Sequence, residues 1–282
     1  MANEKILITG AGTGFGKNIA FSLAEKGKSV IAGVEIISQV SALEQEAKER
    51  GVSMQIEKLD VTNPKDREKA WGWDIDVLVN NAAVSEGGSL VDIPEENLRH
   101  QFEVNVFGPV LLTKGFARQM VERKSGRIVF VSSVSGLMAD PLMGPYCGTK
   151  HATEAFADSL SKELQEFNVE VATINPGPYL TGFNDREFET WKTGSLIWKT
   201  QSSTTRKPLS LRAIRSERSH RTVGKSDSWR DESIPQRHSG KMIPQVKERM
   251  EAMWSKTTTE GLGERDETVQ KSYEIEPGTP AE

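Results

Sequence analysis

A tyrosine and a lysine stand four residues apart in the segment GPYCGTKHATEAFADSL, which begins at Gly144. The segment has helical periodicity, and residues four apart lie on one face of a helix, so Tyr146 and Lys150 are within reach of each other. An ammonium beside a phenol lowers the pKa of the phenol because it favours the phenolate. The pair therefore predicts a proton donor or acceptor. Alternatively, Tyr146 packs at the helix start while Lys150 faces solvent.

A glycine-rich turn, TGAGTGFGKNIA, is the second segment that could do chemistry. Gly10, Gly14 and Gly16 have the spacing of a dinucleotide-loop variant, which differs from G-x-G-x-x-G. Glycines let backbone N–H groups approach a pyrophosphate, and a helix N-terminus favours its negative charge. The alternative is an ordinary tight connection. Because the turn follows the first predicted strand and precedes a helix that starts with Lys17, we expect it to hold phosphate.

The elements that would position these residues alternate along the first two thirds of the chain. Six β-branched runs predict strands, and most are continuously apolar, as expected in a parallel sheet covered on both faces. The runs begin at Lys5, Ser29, Ser53, Asp76, Gly126 and Val169. Periodicity predicts helices over Lys17–Lys26, Val40–Arg50, Glu95–Arg123 and Tyr146–Phe167, with a short one at Pro64–Ala70. This order predicts an α/β fold, a Rossmann-like doubly wound parallel sheet flanked by helices, with its ligand crevice at the carboxyl ends of the strands.

Composition narrows the possible partners. The chain has 282 residues, a net charge of −4 and an isoelectric point near 5.8, which gives no basic footprint for nucleic acid or an anionic membrane. No run approaches the ~20 apolar residues of a membrane span, and MANEKILITGAG lacks the pattern of a signal peptide. The single cysteine, Cys147, fits a reducing compartment, and no metal constellation stands out. We expect a cytoplasmic protein without metal, membrane or nucleic-acid partners.

Six short motifs occur in order along residues 4–185. They are TGAGTGFG from Thr9, NNAA from Asn80, NVFG from Asn105, SSVSG from Ser132, YCGTK from Tyr146 and PGPYLT from Pro176. Together they resemble the single-domain branch of the short-chain dehydrogenase/reductase family, and six ordered motifs are far more specific than any one of them. The resemblance implies an NAD(P)-dependent oxidoreductase.

The resemblance implies four catalytic residues. Tyr146 would be the general acid for carbonyl reduction and the general base for alcohol oxidation, and Lys150 would lower its pKa and bind the nicotinamide ribose. Ser133 matches the serine that hydrogen-bonds the substrate oxygen; without the family spacing, Ser132 would be an equal candidate. Asn105 matches the asparagine that helps to hold a proton-relay water near the lysine; alternatively, it is a buried amide satisfied by protein groups. A hydroxyl and a phenol aimed at one oxygen would stabilise the charge that develops there.

The resemblance also implies a site for NAD(P)(H). Asp60 and Val61, at the end of the third predicted strand, match the pair that holds the adenine ring. Glu35 follows the second strand, near where an acid favours NAD and an arginine favours NADP; it either disfavours a 2′-phosphate or is a solvated surface charge, so the preference stays open. The predicted cofactor residues are Gly10, Thr13, Gly14, Phe15, Gly16, Glu35, Asp60, Val61, Asn81, Ala82, Ala83, Tyr146, Lys150, Pro176, Gly177, Tyr179 and Thr181.

Apolar residues would border the substrate pocket of such a fold. They are Val84, Leu137, Met138, Met143 and Phe183, with Ser133 as the polar contact. They predict a small to medium apolar ketone or its secondary alcohol, aromatic ones included, although Leu and Met are also the usual residues of a core. A hypothesis of a different class is a non-catalytic protein on the same fold that senses the nicotinamide redox state.

The last third of the chain departs from the family pattern. We expect residues 1–190 to form the NAD(P)-binding catalytic domain and residues 191–282 an atypical substrate lid and C-terminal region. Lys192–Gly240 is rich in Ser, Thr and Arg, a composition typical of a flexible segment. Only the segment from Ile243 has helical periodicity.

Two long predicted helices carry apolar stripes that are broader than one sheet contact needs. The stripes comprise Phe102, Val106, Val110, Leu111 and Phe116 on the first helix and Ala152, Phe156, Leu160 and Leu164 on the second. The resemblance implies that these helices pair across a two-fold axis in a homodimer or homotetramer. Alternatively, the whole stripe faces the sheet.

Overall fold

The fold is built on one parallel sheet. The computed structural model describes residues 4–91, 93–177, 183 and 248. Its strands are β1 Lys5–Ile8, β2 Ser29–Val34, β3 Gln55–Lys58, β4 Val77–Asn80, β5 Gly126–Val131 and β6 Val169–Ile174. Their order across the sheet is β3-β2-β1-β4-β5-β6. The chain order reverses between β1 and β4, so the carboxyl ends of these strands open the crevice in which doubly wound sheets bind ligands. The predicted fold class is confirmed.

Helices flank the sheet and connect successive strands, so that the strands can run parallel. They are α1 Gly14–Glu25, α2 Ile37–Arg50, α3 Pro64–Ala70, α4 Glu95–Phe102, α5 Gly108–Arg123 and α6 Gly144–Leu164. At the start of α3, the Asn63 side chain accepts hydrogen bonds from Lys65 N and Asp66 N. Pro64 occupies the first turn, where no N–H is needed. These residues explain why even a short helix forms here.

The single long helix predicted over Glu95–Arg123 is wrong at its centre. A π-helical turn, Glu103–Phe107, separates α4 from α5. Gly108 N donates to Glu103 O, and Pro109 has no N–H to donate to Asn105 O four residues earlier. The apolar stripe continues through the turn, so periodicity does not reveal it. Such π-helical turns are frequent at functional sites.

Both faces of the sheet are covered by apolar side chains. Successive residues of a strand point to opposite faces, so a strand covered on both sides must be continuously apolar. One face carries Leu7, Leu78 and Ile128, and the other carries Ile8, Val79 and Val129. The first face packs against Phe116 and Met120 of α5, and the second packs against Phe21 of α1 and Leu43 of α2.

Predictions for the C-terminal third lie outside the described residues. These are the Lys192–Gly240 segment, the helix from Ile243 apart from Glu248, and the domain boundary after residue 190, and they stay predictions. Within the described part of the chain, no helix is long and apolar enough to cross a membrane. The cytoplasmic location likewise stays a prediction.

Candidate active site

The glycine-rich turn leads from β1 into α1. Gly14 opens the helix with φ +56°, in the left-handed region that favours glycine, and open space surrounds the point where a β-carbon would stand. A β-carbon on Gly16 would collide with Asn81 Nδ2 and Gly10 O. The turn is therefore held against the end of β4 while it leaves room at Gly14. A pyrophosphate at this helix N-terminus would be stabilised by the helix dipole.

Thr9 fastens the turn to the end of β4. Its hydroxyl oxygen accepts hydrogen bonds from Asn81 N and Ala82 N, each at 3.0 Å. Asn81 Nδ2 in turn donates to Thr9 O at 2.9 Å and to Gly10 O at 3.2 Å. The predicted residues Asn81 and Ala82 thus support the turn, and Ala83 beside them is half-buried. The motif contained Thr9, but sequence reasoning assigned it no role.

Gln39 lies across the turn from Gly12. Its Oε1 accepts hydrogen bonds from Glu35 N at 3.1 Å and from Ile36 N at 3.3 Å. A β-carbon on Gly12 would lie 2.6 Å from the Gln39 side chain. Glu35 is exposed, and so is the predicted residue Thr13 at the other side of the turn. No spacing in the sequence marks Gln39, because its contact joins two separate elements.

Asp60 and Val61 lie beyond the end of β3, which stops at Lys58 and not at these residues as predicted. Asp60 Oδ1 accepts hydrogen bonds from Thr62 N at 2.9 Å and Thr62 Oγ1 at 2.7 Å. Asp66 Oδ2 accepts from Asp60 N at 2.8 Å and from Lys58 Nζ at 2.6 Å. Burial would raise the pKa of Asp66, but these hydrogen bonds outweigh burial and lower the pKa. Asp66 therefore fixes the backbone of the predicted adenine pair.

Tyr146 and Lys150 lie in the first two turns of α6, which begins at Gly144. Both are buried, with 7% and 4% of their surface exposed. Lys150 Nζ lies 5.6 Å from the centre of the Tyr146 ring. It donates a hydrogen bond to the oxygen of Val131, the last residue of β5, at 2.8 Å. The structure brings the pair together at the carboxyl end of β5, and the alternative of a solvated Lys150 does not hold.

The environment of Lys150 changes its acidity. Burial lowers the pKa of Lys150 to about 8, because the ammonium loses its hydration, while the Glu154 carboxylate acts in the opposite direction. Lys150 is therefore mostly charged at pH 7 but close to its titration midpoint at pH 8.

Two serines follow β5, and their hydroxyls have different surroundings. Ser133 caps the 3₁₀ turn Val134–Gly136, where its Oγ accepts a hydrogen bond from Ser135 N at 3.1 Å. The same Oγ lies 3.5 Å from Pro176 O. Ser132 is 3% exposed, and its hydroxyl has no hydrogen-bond partner among the described residues. The structure thus distinguishes two residues that the sequence alone left equivalent.

Asn105 lies in the π-helical turn and is 4% exposed. Its Oδ1 accepts a hydrogen bond from Val84 N, and its Nδ2 donates to Val84 O, both at 2.8 Å. Its Nδ2 also donates to Thr149 Oγ1 at 3.0 Å. Because Thr149 precedes Lys150, Asn105 joins the segment after β4 to the first turns of α6. The side chain of Asn105 is engaged in holding protein groups together.

Phe183, a predicted pocket residue, has a ring contact with Tyr146. Its ring centre lies 5.9 Å from that of Tyr146, with the planes tilted by 59°. The pocket residues Val84, Leu137, Met138 and Met143 are half-buried.

The loop after β6 is described only in part. Pro176 O accepts a hydrogen bond from Val134 N at 3.1 Å, next to Ser133, and Gly177 is half-buried. Tyr179 and Thr181 lie outside the described residues, so their cofactor roles stay predictions.

Comparison with known proteins decides the family. The family model described as short chain dehydrogenase matches residues 4–192. The chain belongs to the short-chain dehydrogenase family. The chain is 39% identical over 187 residues to the uncharacterized oxidoreductase YusZ of Bacillus subtilis, and the match covers 64% of this chain and 66% of that protein. It is 33% identical over 191 residues to the 3-ketodihydrosphingosine reductase of Bacteroides thetaiotaomicron, which covers 66% and 67% of the two chains.

A solved structure shows the same fold with a nucleotide bound. The short-chain dehydrogenase from Sphingobium yanoikuyae in complex with NADPH has a TM-score of 0.61 and 26% identity, over 66% of this chain and 75% of that one. The chain spans 58 to 66% of the length of four of its curated relatives.

The matched family and the NADPH-bound related structure imply NAD(P)(H) as the cofactor. The residues present fit that cofactor. The space at Gly14 and the N-terminus of α1 suit its pyrophosphate, and the brace between Thr9 and Asn81 keeps the turn in place. The Lys150 ammonium reaches from α6 to the end of β5, a position suited to a ribose hydroxyl.

Proposed function

We propose that this short-chain dehydrogenase interconverts a small to medium apolar ketone, aromatic ones included, and the corresponding secondary alcohol. The observation that carries the proposal is the buried pair at the head of α6, in which Lys150 Nζ lies 5.6 Å from the centre of the Tyr146 ring. A phenol beside an ammonium can give a proton to a substrate oxygen and hold the negative charge that remains. Tyr146 is then the general acid for reduction and the general base for oxidation.

The reaction needs a proton at the substrate oxygen and a hydride at the substrate carbon. When bound, the nicotinamide supplies the hydride chemistry. In reduction, the Tyr146 hydroxyl donates its proton to the carbonyl oxygen. The Ser133 hydroxyl donates a hydrogen bond to the same oxygen and stabilises the charge that develops there. The Lys150 ammonium stabilises the phenolate, and in oxidation the proton moves in the reverse direction.

Asn105 would contribute through position. Its amide holds the Val84 backbone and Thr149, so it fixes α6 relative to the segment that borders the pocket. Pro109 cannot donate the regular α-helical hydrogen bond to Asn105 O. That carbonyl is the group on which we place the proton-relay water implied by the family resemblance.

Apolar side chains support the proposed substrate class. The Phe183 ring lies 5.9 Å from the Tyr146 ring, and Val84, Leu137 and Met143 are half-buried. Such a lining suits an aliphatic or aromatic group, with polar contacts confined to the reacting oxygen. One relative is named 3-ketodihydrosphingosine reductase, and a ketone substrate agrees with this class.

Two observations act in opposite directions on the preference between NADPH and NADH. The NADPH in the related solved structure favours the phosphorylated cofactor. The exposed Glu35 after β2 acts against a 2′-phosphate if its carboxylate turns toward the ribose.

A comparison of wild type with Tyr146→Phe tests the proposal. Initial rates are measured with NADPH and NADH against a panel of aliphatic and aromatic ketones. We expect turnover by the wild type and a loss of at least ~100-fold in kcat for Tyr146→Phe, because the proton donor is gone. Cofactor affinity, measured by the fluorescence of the reduced nicotinamide, is expected to change by less than about threefold, since the ring is retained.

The competing hypothesis is a nicotinamide sensor without turnover. It predicts that the wild type binds reduced cofactor but oxidises none across the whole panel, so that Tyr146→Phe has no rate to lose. That pattern would contradict the proposed enzyme. Equal kcat in wild type and Tyr146→Phe would instead contradict the role of the tyrosine while leaving an oxidoreductase in place.

We also propose a homodimer or homotetramer. Exposed apolar residues, Leu111 on α5 and Phe156 on α6, support it.

A further inference from the structure

Glu154 lies one helical turn after Lys150 on α6, and the two side chains reach neighbouring strands. Lys150 Nζ donates to Val131 O at the end of β5. The Glu154 Oε1 accepts a hydrogen bond from Asn175 Nδ2, just beyond the end of β6, at 2.5 Å. Val131 pairs with Ile174 in the sheet. Both side chains are therefore directed to the same carboxyl edge, on the face of the helix that meets the sheet.

Asn175 holds the Glu154 carboxylate in a fixed place. Asn175 is fully buried, and its Nδ2 also donates to Ser133 O at 3.2 Å. Its Oδ1 accepts a hydrogen bond from Thr173 Oγ1 at 3.3 Å. An amide whose donor and acceptor are both engaged has little freedom to rotate. The position of Glu154 is thus tied to the backbone of the predicted catalytic serine.

A glycine makes the close approach possible. A β-carbon on Gly136 would lie 3.0 Å from Lys150 O and 3.1 Å from Glu154 Cγ. The 3₁₀ turn that follows Ser133 therefore packs directly on the part of α6 that carries both charged residues. Only a residue without a side chain permits that distance without displacing one of them.

Glu154 is also the charged group that acts on Lys150. Burial lowers the pKa of Lys150 and the Glu154 carboxylate raises it, and these are the two causes among the described residues. The elements that pack against α6 carry other ionisable groups, such as His100 on α4, Glu103 in the π-helical turn and Glu170 on β6. None of these is among the causes of the Lys150 shift.

We propose that Glu154, held in place by Asn175, is a positioning residue that keeps Lys150 in its charged form beside Tyr146. The inference rests on the proposed function, in which the charged Lys150 stabilises the Tyr146 phenolate. A buried ammonium without a nearby carboxylate would lose its proton at a lower pH. Glu154 touches neither substrate nor reacting atoms, and it acts through Lys150.

The direct test follows the titration of Lys150 itself. Protein labelled with ¹³C at the lysine ε-carbons is titrated by NMR, and the Lys150 signal is assigned by its absence from Lys150→Met. The wild-type midpoint is expected near pH 8. In Glu154→Gln, which keeps an oxygen that can accept from Asn175 but removes the charge, the midpoint should fall by about one pH unit. An unchanged midpoint in Glu154→Gln would overturn the inference.

Further variants separate charge from structure. Glu163→Gln makes the same chemical change at an exposed position on the same helix and should leave the Lys150 midpoint at its wild-type value. Glu154→Asp keeps a carboxylate and should recover at least half of the shift. If Glu154→Gln fails to fold, Glu154→Ala places the best helix former at the site and should show the same lowered midpoint. A midpoint as in wild type for Glu154→Ala would also overturn the inference.

Kinetics then connect the titration with the reaction. The alkaline limb of the kcat/KM profile should move to lower pH in Glu154→Gln, which means about a fivefold loss at pH 8 and little loss at pH 6. A merely structural defect would lower the rate at every pH. The NMR titration requires no cofactor or substrate, so the two failures are distinguishable. A moved midpoint in a protein without turnover would contradict the proposed function, whereas turnover with an unmoved midpoint would contradict the role of Glu154.

Discussion

The adjacent serines after β5 provide a matched pair for testing which hydroxyl meets the substrate. Ser133→Ala removes the hydroxyl that we expect to donate to the reacting oxygen, so kcat should fall by about 100-fold, as for loss of one oxyanion donor. The measurement is the initial rate at saturating cofactor. Ser132→Ala removes a hydroxyl that is 3% exposed and has no hydrogen-bond partner among the described residues.

Removal of such a hydroxyl is close to neutral or slightly stabilising. We therefore expect Ser132→Ala to retain the wild-type rate and an equal or higher melting temperature. If Ser132→Ala lost activity and Ser133→Ala kept it, the two serines would have to exchange their roles.

Residue types and helical spacing predicted the pair Tyr146 and Lys150, and the resemblance to the family added Ser133 and Asn105. The same reasoning missed Glu154, because a glutamate in an amphipathic helix normally marks a solvated face. It becomes informative only when the fold brings Asn175 to its carboxylate. Contacts between separate elements leave no period in the sequence.

At the scale of elements, the π-helical turn and α4 hold the segment after β4 through two amide side chains. Asn105 is hydrogen-bonded to Val84 N and Val84 O, both at 2.8 Å. One turn earlier, Gln101 is hydrogen-bonded to Glu86 N and Glu86 O, both at 3.1 Å. The two amides are alike in burial, at 4% and 0% exposure. Asn105 Nδ2 donates in addition to Thr149 Oγ1 on α6.

Asn105→Ala should lower both stability and activity. It leaves the half-buried N–H and C=O groups of Val84 without their partner, which costs about 2 kcal/mol in the free energy of unfolding. Urea denaturation measures that loss, and kcat should fall at the same time because α6 is no longer tied to the segment. Gln101→Ala should have a similar effect on stability but a smaller one on kcat. Equal losses of kcat in both variants would refute a specific role for Asn105.

The Asp66 carboxylate, which accepts a hydrogen bond from the connection between β3 and α3, should make a pH-dependent contribution to the free energy of unfolding. The folded-state pKa of Asp66 is lowered, so its contribution is complete above the unfolded value of about 3.9 and is lost as pH falls through the folded pKa. Asp66→Asn should lower the free energy of unfolding by about 1 kcal/mol at pH 7, and the difference should shrink below about pH 4. Urea denaturation across this range checks the expectation.

The exposed pair of Asp158 with Lys162 supplies the control for Asp66. Its side chains are 66% and 71% exposed, so Asp158→Asn should change stability by less than about 0.5 kcal/mol. Asp66 also fixes Asp60 N, and Asp66→Asn should therefore weaken cofactor binding, whereas Asp158→Asn should not. Equal behaviour of the two variants would contradict the role assigned to Asp66.

Across the whole molecule, continuous apolar runs predicted the parallel sheet because strands covered on both faces cannot alternate. The order of elements then predicted a crevice at the carboxyl ends, where the structure places the turn at Gly14, Asp60 and Lys150. The break at Glu103–Phe107 could not be predicted, since a π-helical turn changes the backbone hydrogen bonds without interrupting the apolar stripe. The third strand was predicted to end at Asp60 and Val61, whereas β3 ends at Lys58. The prediction ran too far because Leu59 and Val61, beyond the end of the strand, are also apolar and buried.

The apolar stripes on the long helices divide into two sets once the fold is known. Val106, Phe116 and Leu164 are buried, with 3%, 1% and 7% exposure, so part of the stripe does face the sheet. Leu111 and Phe156 of the stripes remain 41% and 45% exposed, and Phe107, which the prediction did not include, is 47% exposed. Large apolar side chains exposed on the surface are typical of an interface, and identical chains most often pair symmetrically.

Leu111→Glu combined with Phe156→Glu should therefore produce a monomer. Two charges brought onto each partner would be desolvated in the interface, which opposes association, whereas in the monomer both positions are open to water. Sedimentation equilibrium should give two or four times 31.2 kDa for the wild type and 31.2 kDa for the double variant. Val91→Glu, at a position that is 87% exposed before α4, is the control and should keep the wild-type mass. A wild type that sediments as a monomer at micromolar concentration would contradict the proposed oligomer, because no association would exist for the charges to disrupt.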